Sequence, residues 1–158
     1  MPCNPVASRL ALVSLLILLV ACEPSDRRPG LWLTGDAAAF PDNWAFTSAY
    51  PEIFVQVKTP YFLPHSVTIW CAALGEKLVI GARNPDDKNW PGWMTKSPAV
   101  TLKVGDKLYQ GEAEQVNDAA EIAEIKAAYA VKYQLSTDPN KPSPPMRYWY
   151  IANAQASR

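Results

Sequence analysis

Across residues 66–116, apolar and polar positions alternate with period two in several short runs, and an irregular stretch holding two tryptophans divides them into two pairs. In Val67-Thr-Ile-Trp-Cys-Ala-Ala73, Val67, Ile69 and Cys71 share one face, and Thr68, Trp70 and Ala72 share the other. Leu74-Gly-Glu-Lys77 predicts a turn with Gly75 at positive φ, and Leu78-Val-Ile-Gly81 returns as the partner strand. Residues 82–98 read as a loop, because their three prolines exclude the interior of a regular strand or helix. Val100, Leu102 and Val104 then point inward on a second strand, Gly105-Asp106 signals a two-residue hairpin, and residues 107–116 return with Tyr109, Gly111 and Ala113 on one face and Glu112 and Glu114 on the other. Such alternation belongs to a half-buried antiparallel sheet. Two hairpins cannot cover their own apolar faces, so the rest of the chain must close the sheet as a barrel or against a helix.

Upstream, residues 31–34 read as a short first strand, 37–40 as a helical turn, and 41–44 as a turn with Trp44 and Phe46 as apolar plugs. Ile53, Val55 and Val57 form one face of a strong strand that Pro60 and Pro64 end. Downstream, Asp118 caps a helix with Glu121 at the third helical position, and Ile122, Ile125, Tyr129 and Tyr133 recur at helical spacing as a core-facing stripe. Residues 136–145 are Pro-rich and predict an irregular surface loop. Residues 146–151 predict a last strand whose exposed aromatics line a groove or interface, and 152–158 a frayed end.

Residues 1–21 read as a targeting segment, in which Arg9 gives a weakly positive start and the apolar run over 10–20 is too short to span a bilayer comfortably. Leu19-Val-Ala-Cys22 resembles a bacterial lipoprotein signal, which implies cleavage before Cys22 and acylation of its thiol. Several acyl chains anchor firmly, at about 0.8 kcal/mol per buried CH₂. The expected division is a leader over 1–21, a polar tether over 22–30 and one domain over 31–158. The expected location is the cell envelope; with Glu23 after the cysteine, a Gram-negative host would sort the protein to the outer membrane, facing the periplasm.

Charge is balanced at 15 basic against 15 acidic residues, and loss of the leader removes only Arg9, which argues against nucleic acid as the main partner. One histidine and one cysteine in the mature domain cannot build a zinc site of the usual kind. Cys71, in a predicted strand, reads as a small packed apolar residue. No phosphate-cradling glycine loop or catalytic triad is present, since Ser66 beside His65 is adjacency rather than geometry. What remains is the 83–96 stretch, where Arg83, Lys88 and Lys96 accompany Trp90 and Trp93, with His65 at a strand start nearby in sequence. Basic groups pair with phosphate oxygens and indoles stack on planar rings, so the set suits a flavin-like or nucleotide ligand. Asp86, two residues before Lys88, would oppose a phosphate by like charge.

Val67-Thr-Ile-Trp70, Leu78-Val-Ile80, Trp90 and Trp93, Ser97-Pro-Ala-Val-Thr-Leu102, Tyr109 and Ala113 together resemble the split-barrel flavin-binding superfamily, which includes pyridoxamine-phosphate oxidase-like and deazaflavin-dependent nitroreductase-like proteins. The resemblance covers about residues 50–135. It implies a mainly β fold with one or two helices, a six-stranded antiparallel split barrel, a homodimer with ligand between subunits, and FMN or a deazaflavin as cofactor. Lys88 lies where a phosphate-binding lysine is common in the oxidase-like branch. Two functions follow as expectations: a lipid-anchored oxidoreductase of a small organic substrate, or a non-catalytic envelope protein that binds a small molecule or a protein.

Overall fold

The structure is a computed structural model, and it describes residues 30–136, 138, 140 and 142–154. The leader, Cys22 and most of the tether lie outside the described residues. Eight strands form one sheet: β1 (Asp36–Ala37), β2 (Ile53–Val57), β3 (His65–Ile69), β4 (Cys71–Leu74), β5 (Lys77–Arg83), β6 (Ala99–Val104), β7 (Lys107–Gln115) and β8 (Met146–Asn153). Helix α1 (Asn89–Lys96) lies between β5 and β6, and α2 (Ala119–Tyr133) between β7 and β8. The pairing order is β3-β2-β6-β7-β8-β5-β4, antiparallel throughout, while the short β1 adds in parallel to β7.

The two ends of this order are successive pieces of chain. β3 pairs with β2 and β4 pairs with β5, and only Trp70 separates them. One bent strand therefore serves both edges and brings the sheet round into a split barrel without a closing ladder between its ends. Counted as one, β3 and β4 leave six long strands, the number expected. The alternation runs through the bend without slipping: Val67, Ile69, Cys71 and Ala73 all face the barrel core. Ile53, Val55, Val57, Leu78, Ile80, Val100, Leu102, Trp149 and Ile151 complete that interior. Both hairpins have the expected two-residue turns, with Gly75 at φ 59° and Gly105 at φ 57°, where a side chain would be strained.

A second cluster lies outside the barrel, where Ile125 and Tyr129 of α2 cover Ala72, Val79, Tyr148 and Tyr150. Asp118 caps α2 as expected, its Oδ1 accepting from the amides of Ala120 and Glu121. At the bend, Trp70 and Cys71 have backbone groups that a continuous ladder would have paired, and α2 supplies the partners. The Tyr129 hydroxyl donates to the Trp70 carbonyl at 3.0 Å, with the Val79 carbonyl at 3.3 Å. The Tyr133 hydroxyl accepts from the Cys71 amide at 2.9 Å and donates to the Cys71 carbonyl at 3.0 Å. Trp70 stacks on the Tyr133 ring, centroids 4.2 Å apart and planes 12° from parallel.

Several sequence expectations need correction. Residues 89–96 are helical despite Pro91, because that proline sits in the first turn, where a backbone N–H has no intrahelical acceptor to lose. Residues 31–34 form no strand and 37–40 no helical turn; β1 begins at Asp36, and Ala38 continues with a bond from its amide to the Leu108 carbonyl. Tyr148, Trp149 and Tyr150 are buried, because α2 and the barrel interior cover the two faces of β8. β8 also runs on to Asn153, so residues 152 and 153 of the end expected to fray are paired, while 155–158 lie outside the described residues. Trp44 is the fully buried plug anticipated, while Phe46 stacks on it and remains partly exposed.

Candidate functional site

Helix α1 caps the end of the barrel where β5 finishes and β6 begins. It sends Trp90 and Met94 into the interior, which fixes its pose against the strands. Across from it, β2 leads through residues 58–64 into β3 at this same end, since Val57 pairs with both His65 and Val100. A groove of about 490 Å³ runs between β3 and the start of α1, lined by His65, Val67, Thr68, Asp87, Lys88, Asn89, Trp90 and Trp93. That size falls in the range of small-molecule sites.

The start of α1 is chemically open. Lys88 occupies the N-cap position, no side chain caps the helix, and its first turn holds no acid. The first-turn amides of Asn89 and Trp90 and the helix dipole favour an anion there, while Pro91 in the same turn offers no N–H. Lys88 Nζ donates to the Arg83 carbonyl, which leaves the ammonium charge without a carboxylate partner among the described residues. Asp86, expected to oppose a phosphate, forms an ion pair with Arg147 at 3.1 Å instead. Asp87 does line the groove, so the floor carries both signs of charge.

Trp93 is half-buried and forms the aromatic wall, meeting His65 edge to face at 5.5 Å and Tyr61 at 5.7 Å. Trp90 has a different role. It is 6% exposed and leans on Trp149 at 5.8 Å, so it is mainly core and shows the groove only an edge.

The structure thus brings together His65, Lys88, Trp90 and Trp93 of the predicted set. Arg83 and Lys96 are exposed and do not line the groove: Arg83 ends β5 and Lys96 lies at the far end of α1. Sequence reasoning missed Thr68, Asn89 and the open helix start itself. The loop assigned to 82–98 hid the last of these, though a basic residue followed by Asn-Trp-Pro was a usable signal, since proline favours the first turn of a helix. No group of three or more potential metal ligands occurs among the described residues.

Solved structures share this architecture. A conserved hypothetical protein from Mycobacterium tuberculosis superimposes with a TM-score of 0.54 at 16% identity, covering 69% of this chain and 76% of its own. A candidate pyridoxamine 5'-phosphate oxidase from Listeria innocua gives 0.54 at 15% identity, over 70% and 90% of the two chains. A candidate 5-nitroimidazole antibiotic resistance protein from Bacteroides thetaiotaomicron gives 0.50 at 13% identity, over 66% and 74%. The likeness shows a shared fold, an antiparallel split barrel. At these identities the likeness concerns architecture, and the split barrel's chemistry has to be argued from its own groove. No family model matches the sequence, and no curated protein matches it.

The residues fit a phosphate-bearing planar ligand. Lys88 and the open start of α1 suit the phosphate, Thr68 and Asn89 offer polar contacts, and Trp93 offers a ring.

Proposed function

We propose that this chain is a lipid-anchored envelope protein whose split barrel binds FMN or a deazaflavin in the groove between α1 and β3, and uses it to reduce a small organic substrate. One observation carries the reading: an uncapped helix start and an ammonium without a carboxylate partner among the described residues meet an aromatic wall in a single groove of a split barrel. Lys88 and the first-turn amides would hold phosphate, and Trp93 with His65 would orient the ring system. Bound there, the cofactor supplies hydride transfer, and no side chain need act as acid or base. A homodimer belongs to the reading. Cys22 would carry the lipid, and Cys22→Ser should release the protein from membranes on fractionation.

The second reading is a non-catalytic envelope protein with the same barrel, binding a small molecule or a protein. Asp87 in the lining and the distance of Arg83 and Lys96 from the groove favour it. The visible spectrum of the purified protein separates the two. Flavin bands on purification, or bands shifted on adding FMN, support the first. Colourless protein that leaves the FMN spectrum unchanged sinks it.

A further inference from the structure

We infer that the exposed knuckle between β2 and β3, together with Leu31 and Trp32, is a lipid-contacting face that seats the barrel on a bilayer; this rests on the lipid-anchored reading above. Leu31, Trp32, Tyr61, Phe62 and Leu63 are all large, apolar and exposed. Hydrogen bonds tie the segment holding Leu31 and Trp32 to the two strands that the knuckle joins. The Gly30 amide donates to Ser66 Oγ at 3.0 Å, the Ser66 amide returns to the Gly30 carbonyl at 2.9 Å, and the Leu33 amide donates to Gln56 Oε1 at 2.7 Å. Gln56 and Ser66 are register partners, one position from the Val57–His65 pair at the base of the knuckle. Leu31 and Trp32 therefore sit between two tie points, both one register position from the pair that opens the knuckle.

The knuckle is built to project. The Thr59 hydroxyl donates to the Leu63 carbonyl and closes the loop on itself. Phe62 is held at φ 66°, a region that disfavours a bulky side chain, and is 98% exposed. Within the barrel nothing is gained by this arrangement: a small or polar residue would relieve the backbone and keep an aromatic ring out of water. Tryptophan, tyrosine, phenylalanine and leucine, with Lys58 exposed at the loop's start, form the mixture that settles at the headgroup level of a membrane.

The point where the chain arrives selects the bilayer as occupant. Gly30 is tied to the base of the knuckle, and Cys22 lies only eight residues upstream. Fully extended, that tether reaches at most about 29 Å, and as a relaxed coil roughly 16 Å. An acylated Cys22 would thus hold this side of the barrel within contact range of the lipid, with Arg27 and Arg28 on the way.

The test uses the mature acylated protein in vesicles of phosphatidylethanolamine and phosphatidylglycerol, with a nitroxide on Phe62→Cys and, for reference, on Val131→Cys of the exposed side of α2. Cys71 is fully buried and does not take the label. The expected result is an oxygen-to-nickel-chelate accessibility ratio several-fold higher at position 62 than at 131. Equal ratios in protein that stays on the vesicles overturn the inference and leave the anchor reading intact. Protein that leaves native membranes whether or not Cys22→Ser is introduced removes the anchor, and the inference falls with it. Shielding of position 62 from both oxygen and nickel, with dipolar broadening between labels, assigns the face to a second copy of the chain and also overturns the inference.

Discussion

The α2 flank and the α1 flank of the barrel treat their polar groups in opposite ways. On the α2 flank, side chains that reach inward end on backbone. Tyr129 and Tyr133 serve the Trp70–Cys71 bend, and Lys132 Nζ donates to the Thr47 carbonyl at 2.8 Å, with Cys71 Sγ 3.4 Å away. On the α1 flank, the helix start has no cap and Lys88 faces a groove without a carboxylate partner among the described residues. Satisfied groups in a buried setting are structural, because each would be costly to strand. Unsatisfied donors beside a cavity are available to a ligand. The difference marks the α1 groove as the candidate site and leaves to α2 the work of bending one strand across both edges of the sheet.

Tyr129→Ala should lower stability by about 3–5 kcal/mol through the lost ring, read by denaturant unfolding, because the ring is buried and its hydroxyl serves the bend. A loss near zero would mean that α2 merely decorates the barrel. Tyr133→Phe should cost about 1–3 kcal/mol, since the Cys71 amide and carbonyl both lose their partner.

The same flank predicts alkaline sensitivity. Burial, the largest cause, pushes the Tyr133 phenol up from its ordinary 10.0 to about 12. Burial also raises Tyr129 well above its ordinary value, and raises the Cys71 thiol from 9.0, with the neighbouring Lys132 charge opposing the latter. In each case the folded state holds its proton more tightly than the unfolded chain. Stability contributed by these groups is therefore fully present below their ordinary values and is lost as pH rises through the raised ones. For Tyr133 the window is pH 10 to 12. Unfolding followed across that window should steepen in the parent protein and flatten in part in Tyr133→Phe.

Changes on the α1 flank should show first in ligand affinity. Trp93→Ala should weaken FMN binding by roughly 1–3 kcal/mol if the ring stacks as indoles do on nucleobases. The smallest effect is expected at Arg147. Arg147→Ala breaks an exposed pair with Asp86, which by itself is worth about 0–1 kcal/mol of stability. It also frees a carboxylate two residues from Lys88, so FMN affinity should fall slightly while the melting temperature stays put.

Much of the barrel was legible because a half-buried strand writes its inner face every second residue. Ile53, Val55 and Val57 declared β2, and Gly75 and Gly105 declared the hairpin turns. The bend at Trp70 was not legible, because the alternation passes through it unbroken and only the change of partner strand marks it. The buried aromatics of β8 were misjudged for a related reason. A strand covered on both faces shows no polar side, and Tyr148 and Tyr150 read as surface until α2 is placed over them. At the site, residue types found Lys88, Trp93 and His65, but charge alone could not separate Lys88 from Arg83 and Lys96. That distinction depends on which end of β5 and α1 each occupies.

The account rests on the α1 groove taking a phosphate-bearing ring, and titration of FMN into the purified full chain, beside Lys88→Ala, tests it most directly. Saturable quenching of flavin fluorescence is expected, with affinity roughly ten- to a hundred-fold weaker in Lys88→Ala, as loss of a charge-assisted bond implies. Absence of binding, or equal affinity in the two proteins, would contradict it.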